Sequence, residues 1–164
     1  MPTQSLPHLI SQGIAALQAG SRIGQHATSE IQNDAADPQL KELLRQGEQR
    51  TREWDRRLAE VRRIVGEESG AQEEGEENMI VQSIHDVSKM IRARARDAAE
   101  RDLGIIASGQ IALHYYVAAY GTLRAYCEDI GKPDAAHLLQ QSLDEAKEAD
   151  QKHNEAAQKI ARGS

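Results

Sequence analysis

The residues that could carry chemistry lie in the second half of the chain. The stretch IALHYYVAAYGTL, residues 111 to 123, places His114 among apolar side chains and tyrosines. Further along are Glu145, Asp150 and His153, the last two three residues apart and therefore on one side of a helix. Carboxylate and imidazole groups are ligands for iron, manganese and zinc. These four side chains are the candidate ligands of a metal site.

Each candidate also has a simpler structural interpretation. A histidine such as His114, beside an apolar stripe, needs only one hydrogen bond, and the spacing of Asp150 and His153 is typical of local pairing on a helix. The single cysteine, Cys127, precedes two acidic residues that disfavour its thiolate, which predicts a buried structural thiol. The sequence contains no nucleophile motif and no Gly-rich phosphate loop.

The composition is that of a globular protein. The chain has 164 residues, 39% of them hydrophobic and 28% charged, which predicts one domain over residues 1–164. A net charge of -6, with acids interleaved among the arginines, argues against nucleic-acid binding. The lone cysteine favours a reducing compartment, so we expect a cytoplasmic protein. We also expect no membrane role, because no apolar run approaches the length of a span.

Apolar residues at alternating spacings of three and four predict helices throughout. The four long helices are expected at about residues 6–35, 38–65, 97–129 and 134–161. A segment with six glutamates and three glycines, about 66–78, has no periodicity and is predicted to be a solvated loop.

A shorter helix is predicted at about 78–95, between the second and third long helices. Its inward face is expected to carry Met79, Ile80, Ile84, Val87 and Ile91, with the RARAR run that follows facing outward. Four long helices with short turns and one long connection describe a four-helix bundle, and ferritin-like bundles place their crossover at this point.

Three stretches carry a resemblance to a known family: DPQLKELLRQGEQRT, HYYVAAYGTLRAYCEDIG and LLQQSLDEAKEAD. They resemble the bacterial YciE/YciF family, a ferritin-like group of mostly unknown function associated with stress responses. The resemblance covers about residues 6–160. It implies an all-α, ferritin-like four-helix bundle with a short extra helix in the crossover between helices two and three.

The resemblance also locates the family's metal-ligand positions, and most are substituted here. A ferritin-like di-iron site takes a Glu from each of two helices and a Glu-x-x-His pair from each of the other two. No Glu-x-x-His pair falls on the inward stripes of this chain. The substituted family positions are Ser21, Gly47, Leu113, Tyr116 and Ala146. Tyr116 is expected to fill the space of the metal, with its hydroxyl directed at Asp150 or a water molecule.

These substitutions favour a degenerate ferritin-like protein that has no di-iron centre and no cofactor. Neutral side chains would remove a cluster of buried carboxylates that repel one another unless cations are bound. The sequence therefore predicts a non-catalytic structural or interaction protein. A stress-response role and a homodimer, formed through an exposed apolar helix face, are implied by the resemblance.

Two alternatives stay open. One is a metal-binding ferritin-like protein, a di-iron oxidase or a metal-storage protein, with ligands rearranged among His114, Glu145, Asp150 and His153. The other is a helical adaptor whose acidic loop, Glu73 to Glu77, binds a basic partner.

Overall fold

A computed structural model describes residues 5–66 and 78–163. These ranges form five helices and contain no strand: α1 (Ser5–Asp34), α2 (Pro38–Val65), α3 (Met79–Arg94), α4 (Ala98–Asp129) and α5 (Pro133–Arg162). The four long helices and the short third helix confirm the predicted all-α bundle, with α3 in the connection between α2 and α4. The acidic segment Glu73 to Glu77 lies outside the described residues, so its proposed role as a partner site stays a prediction, as does the single domain.

Local sequence signals set the ends of the helices. Asp37 caps α2 by accepting a hydrogen bond from the Leu40 N–H at 2.8 Å, and Pro38 occupies the first turn. Asn78 and Asp97 cap α3 and α4 in the same way. At the other end of α2, Gly66 has a φ of 89°, a left-handed conformation that favours glycine.

The core forms two clusters along the bundle. The larger one joins Tyr120, Trp54 and Leu58 to the N-terminal half of α1 and the start of α5. The smaller one, at the opposite end, packs Leu40 and Leu43 against α4 and the end of α5. α4 contacts all four other helices, so apolar residues surround it instead of forming one stripe.

A buried carboxylate closes the end of the bundle where α1 turns into α2. Asp102 on α4 is 2% exposed, and its two oxygens accept hydrogen bonds from the Ala36 N–H at 2.9 Å and the Asp37 N–H at 2.7 Å. These backbone donors have no partner within the turn itself, so Asp102 satisfies them from another helix. Sequence reasoning did not identify this residue.

The predicted inward face of the short helix was wrong for three of its five residues, Met79, Ile80 and Val87. Buried on α3 are Val81, Ser88 and Arg92, the first residue of the RARAR run. The expected inward residues Met79, Ile80 and Val87, together with Met90, are exposed; Ile84 and Ile91 are half-buried.

Contacts with α1 explain this rotation of α3. The Arg92 guanidinium forms an ion pair with Asp34 and lies 3.8 Å from Glu30, both on α1. At the other end, the Asn78 amide donates to the Ala16 carbonyl at 2.8 Å and to the Tyr115 hydroxyl at 2.8 Å. These polar anchors decide which face of α3 meets the bundle, because a buried guanidinium requires its carboxylates.

Candidate functional site

All five helices contribute to a pocket of about 140 Å³ that is partly open to solvent. Its wall includes Gly24, Gly47 and Gly109, where missing side chains leave space between the helices. The remaining lining residues are Thr28, Leu43, Leu44, Arg50, Thr51, Trp54, Val81, Ala112, Leu113, Tyr116 and His153. Gly47, Leu113 and Tyr116, three of the five positions that the family resemblance predicts to be substituted, therefore line this pocket.

Tyr116 forms the side of the pocket next to α1. A Cβ atom on Gly20 would lie 3.3 Å from the Tyr116 hydroxyl, and one on Gly24 would lie 4.0 Å from it. The hydroxyl therefore lies against α1, and its expected direction towards Asp150 was wrong. The hydroxyl can approach α1 because Gly20 and Gly24 have no side chain that would occupy this space. Burial is the main cause that raises the pKa of Tyr116.

Ser21, another of the positions predicted to be substituted, lies beside this tyrosine and is fully buried. Its hydroxyl makes no hydrogen bond of ordinary length within the described ranges. Ser21 nevertheless lies near Tyr116 and near Asp55 on α2. Its hydroxyl lowers the pKa values of both groups, but burial raises both pKa values by more. Ala146, the fifth substituted position, is also fully buried and packs in the larger core cluster.

His114 and Asp150 come together at the surface of the bundle. His114 Nε2 lies 3.2 Å from Asp150 Oδ2, and its side chain is 69% exposed. The other oxygen of Asp150 accepts a hydrogen bond from Gln110 at 3.2 Å. Asp150 thus pairs across to α4, and its predicted local pairing with His153 was wrong.

His153 points into the bundle instead. It is buried, and its Nδ1 lies 2.7 Å from the Ala149 carbonyl one turn earlier. A carbonyl only accepts hydrogen bonds, so Nδ1 carries the proton and Nε2 is free to accept when the ring is neutral. Burial lowers the pKa of His153, which favours that neutral form.

Glu145 is held in a structural ion pair. Its two oxygens accept hydrogen bonds from the Arg57 guanidinium at 2.7 and 2.8 Å, and one oxygen also accepts from Trp54 Nε1 at 2.8 Å. These bonds, those from Arg57 most of all, lower the pKa of Glu145. The carboxylate therefore joins α2 to α5 in the ionised state.

The four candidate ligands do not meet at one place. Only His114 and Asp150 form a pair, while Glu145 and His153 have separate partners. Across residues 5–66 and 78–163, no three His, Cys, Asp or Glu side chains group closely enough to hold a metal ion.

Sequence reasoning missed Arg50, which lies on the pocket wall between the substituted Gly47 and Trp54 on α2. The guanidinium is half-buried, and burial lowers its pKa. The available signal was its place within the inward stripe of the second helix, one residue before Thr51. Cys127, in contrast, is fully buried as predicted, and burial raises its pKa to about 11.

Residues 16–163 match the model of a protein family described as a domain of unknown function, DUF892. The chain belongs to the DUF892 family. Protein YciF of Escherichia coli K12 is 35% identical over 74 residues, which are 45% of this chain and 44% of that protein. The matched region thus spans less than half the length of that curated relative.

Two solved structures share the DUF892 fold seen here. The E. coli stress protein YciF superposes with a TM-score of 0.89 at 19% identity, over 99% of this chain and all of YciF (100%). YcfI of Rhodopseudomonas palustris, for which a structural role has been proposed, superposes with a TM-score of 0.83 at 24% identity, over 92% of this chain and 94% of YcfI. Together with the helix order, these matches confirm the predicted all-α helical bundle, and the family model with the YciF match confirms the predicted family.

Proposed function

We propose that this DUF892 chain is a non-catalytic structural or interaction protein that acts as a homodimer. The observation that carries the proposal is the apolar face of α3, formed by Met79, Ile80, Val87 and Met90. These side chains are 74%, 56%, 48% and 51% exposed, respectively. Four large exposed apolar side chains on one side of a short helix are the kind of surface found at protein interfaces.

A second copy of the chain is the occupant that fits this face. An apolar helix face is complementary to itself, and a twofold interface places the same patch on both subunits. Each copy has a net charge of -6, but the four residues of the α3 face are uncharged, so electrostatic repulsion between two copies is weak where their α3 faces meet. YciF is described as a stress protein, and we extend that role, in a reducing cytoplasm, to this chain.

The same proposal includes the loss of the di-iron centre. Its support is the set of partners held by the remaining donors: Glu145 binds Arg57, and His153 binds a backbone carbonyl. At the family's ligand positions, Ser21, Gly47 and Ala146 offer no carboxylate or imidazole to a metal. The residues present therefore do not fit a carboxylate-bridged iron pair.

Nucleic acid is not among the proposed partners. On α2, Arg45, Arg52, Arg56 and Arg63 each pair with a glutamate one turn earlier on the same helix. These local pairs neutralise the guanidinium groups that a phosphate backbone would need. None of the helices in the described ranges is long and apolar enough to cross a membrane.

Sedimentation of substituted proteins tests the dimer. Ile80→Glu and Met90→Lys place a charge in the α3 face, and we expect each to shift the protein from dimer to monomer at micromolar concentration. Leu9→Glu is the matched control, since Leu9 is a 44% exposed apolar residue on α1, and it should leave the dimer intact. A wild-type monomer, or variants that remain dimeric, would contradict the proposal.

Elemental analysis tests the loss of the metal centre. After dialysis against ferrous iron, manganese and zinc, we expect well below one metal ion per chain and no rise in melting temperature. Two iron ions per chain with a clear rise in melting temperature would instead support the rearranged ligand set around His114 and Asp150.

A further inference from the structure

The pocket between the five helices contains a cation, Arg50, that has no direct partner among residues 5–66 and 78–163. Among the residues that the structure describes, Arg50 has no hydrogen bond and no ion pair within 4 Å, and its guanidinium lies 4.0 Å from where a Cβ of Gly47 would be. The two carboxylates that act on it at longer range already have partners. Glu145 binds Arg57, and Glu148 binds Lys152 at 2.6 Å.

A half-buried guanidinium beside an apolar wall is stabilised when an anion joins it. Arg50 shares the pocket with the buried ring of His153, whose Nε2 donates to a carboxylate only when the ring is protonated, so Arg50 is the group that holds the anion. A guanidinium matches the two oxygens of a carboxylate in a fork geometry. The polar part of this pocket thus has the chemistry that recognises a carboxyl group.

The rest of the pocket sets the size and character of the ligand. Leu43, Leu113, Val81 and Trp54 supply apolar surface around about 140 Å³ of space. An engineered protein cavity of about 150 Å³ lined by apolar side chains holds benzene. The available volume is therefore suited to an apolar body of about six carbon atoms.

We propose that this pocket binds a small apolar carboxylic acid, with its carboxylate on Arg50 and its ring or short chain between Trp54 and Leu113. The pocket is separate from the exposed α3 face, so the proposal of carboxylate binding does not depend on the proposed dimer. The pocket is lined by Gly47, Leu113 and Tyr116, which are predicted to be substituted metal-ligand positions. An organic acid would therefore bind where the family resemblance places a metal.

Benzoate is the probe, and the protein's own fluorescence is the first readout. The chain contains a single tryptophan, and Trp54 lies in the pocket wall, so its emission reports directly on occupancy. We expect a saturable change in Trp54 emission on titration with benzoate, matched by a calorimetric titration. Benzyl alcohol has the same ring without the charge, and it should bind roughly tenfold more weakly or worse.

Substitution separates the guanidinium from general effects of charge. Arg50→Gln should weaken benzoate binding about tenfold or more, whereas Arg52→Gln, at a 60% exposed position on the same helix, should leave it unchanged. Gly109→Ala, which places a methyl group 3.7 Å from the His153 ring, should also weaken binding by narrowing the pocket. Far-UV circular dichroism checks that each variant is folded.

Each result of the benzoate titrations either supports the proposal or overturns it. A saturable response that depends on Arg50 and on the carboxylate supports the proposal. No saturable response of the wild-type protein up to the solubility limit of benzoate overturns it, and so does equal binding of benzoate and benzyl alcohol. Because the comparison of the two ligands uses the wild-type chain, a misfolded Arg50→Gln variant would still leave a decisive result.

Discussion

Single charged residues make contacts that hold distant parts of this chain together. Asp102 joins α4 to the turn between α1 and α2, and Arg92 joins α3 to α1. Both are buried, so each would be costly if its partners were absent. Their position in the interior is explained by polar groups that only the folded chain brings near: two backbone N–H groups for Asp102 and two carboxylates for Arg92.

The residue-scale prediction concerns Asp102. In Asp102→Asn, an amide NH₂ replaces one carboxylate oxygen and faces a backbone N–H, so one buried donor loses its acceptor. We expect the free energy of unfolding, measured by urea denaturation, to fall by about 1–3 kcal/mol. Asp144→Asn is the control, because Asp144 is exposed on α5 and accepts only from Gln140. An equal effect of the two substitutions would show that Asp102 does not close the turn.

At the scale of the element, α3 is the helix whose position is least determined by its own sequence. It is amphipathic, yet the face it buries is chosen by its ion pair with α1 and by a close approach to α4. The approach occurs at Gly104, where any Cβ atom would overlap the Cγ2 atom of Ile91. Glycine at this position lets the two helices pack closely.

The element-scale prediction compares two glycines of α4. Gly104→Ala forces the β-branched Ile91 to move, so we expect a lower free energy of unfolding in spite of the better helix propensity of alanine. Gly121→Ala meets nothing within 4 Å and should stabilise the protein by up to about 1 kcal/mol.

A double variant identifies the cause. Because Ile91→Ala removes the overlapping methyl group, the Gly104→Ala change should cost less in that background than in the wild type. Costs that simply add would rule out the contact between Gly104 and Ile91 as the origin of the effect.

The whole molecule responds to pH through buried and half-buried groups in different helices. Burial lowers the pKa values of His153 and His85, so the folded state prefers both rings neutral. Their unfolded pKa is about 6.5, and below that pH unfolding takes up protons that the folded state binds poorly. The stability from these rings is complete above that pH and is lost as the pH falls through the lowered folded-state values. The lowered pKa of Glu145 acts in the same direction, but below about pH 4.3.

The whole-molecule prediction is the slope of stability against pH. For the wild type we expect the free energy of unfolding to decrease as the pH falls from about 7 to 5, by at most about 1.4 kcal/mol per pH unit for each histidine. His153→Gln should reduce that slope, and His137→Gln, at an exposed position, should not. Urea denaturation at a series of pH values measures the slope of the free energy of unfolding against pH for each protein. Identical slopes for His153→Gln and the wild type would exclude His153 as a contributor.

The sequence by itself determined the helices and their order. Their ends depend on local signals, such as the Asp37–Pro38 start of α2 and the Gly66 that ends it, and their inward stripes depend on a 3.6-residue period. The family motifs then predicted the bundle, which the structure confirms, and the substituted metal-ligand positions, which stay a prediction. These features could be predicted because each depends on residues within a few turns of one another.

Only the tertiary structure decided the face that α3 buries, the role of Asp102, and the place of Arg50 in a pocket with His153. Asp102 lies 66 residues from Ala36, and the pocket collects side chains from all five helices. The periodicity of apolar residues within one helix does not determine how that helix is rotated relative to its neighbours. The rotation is set by packing and by the pairing of buried polar groups, which depend on residues far apart in the chain.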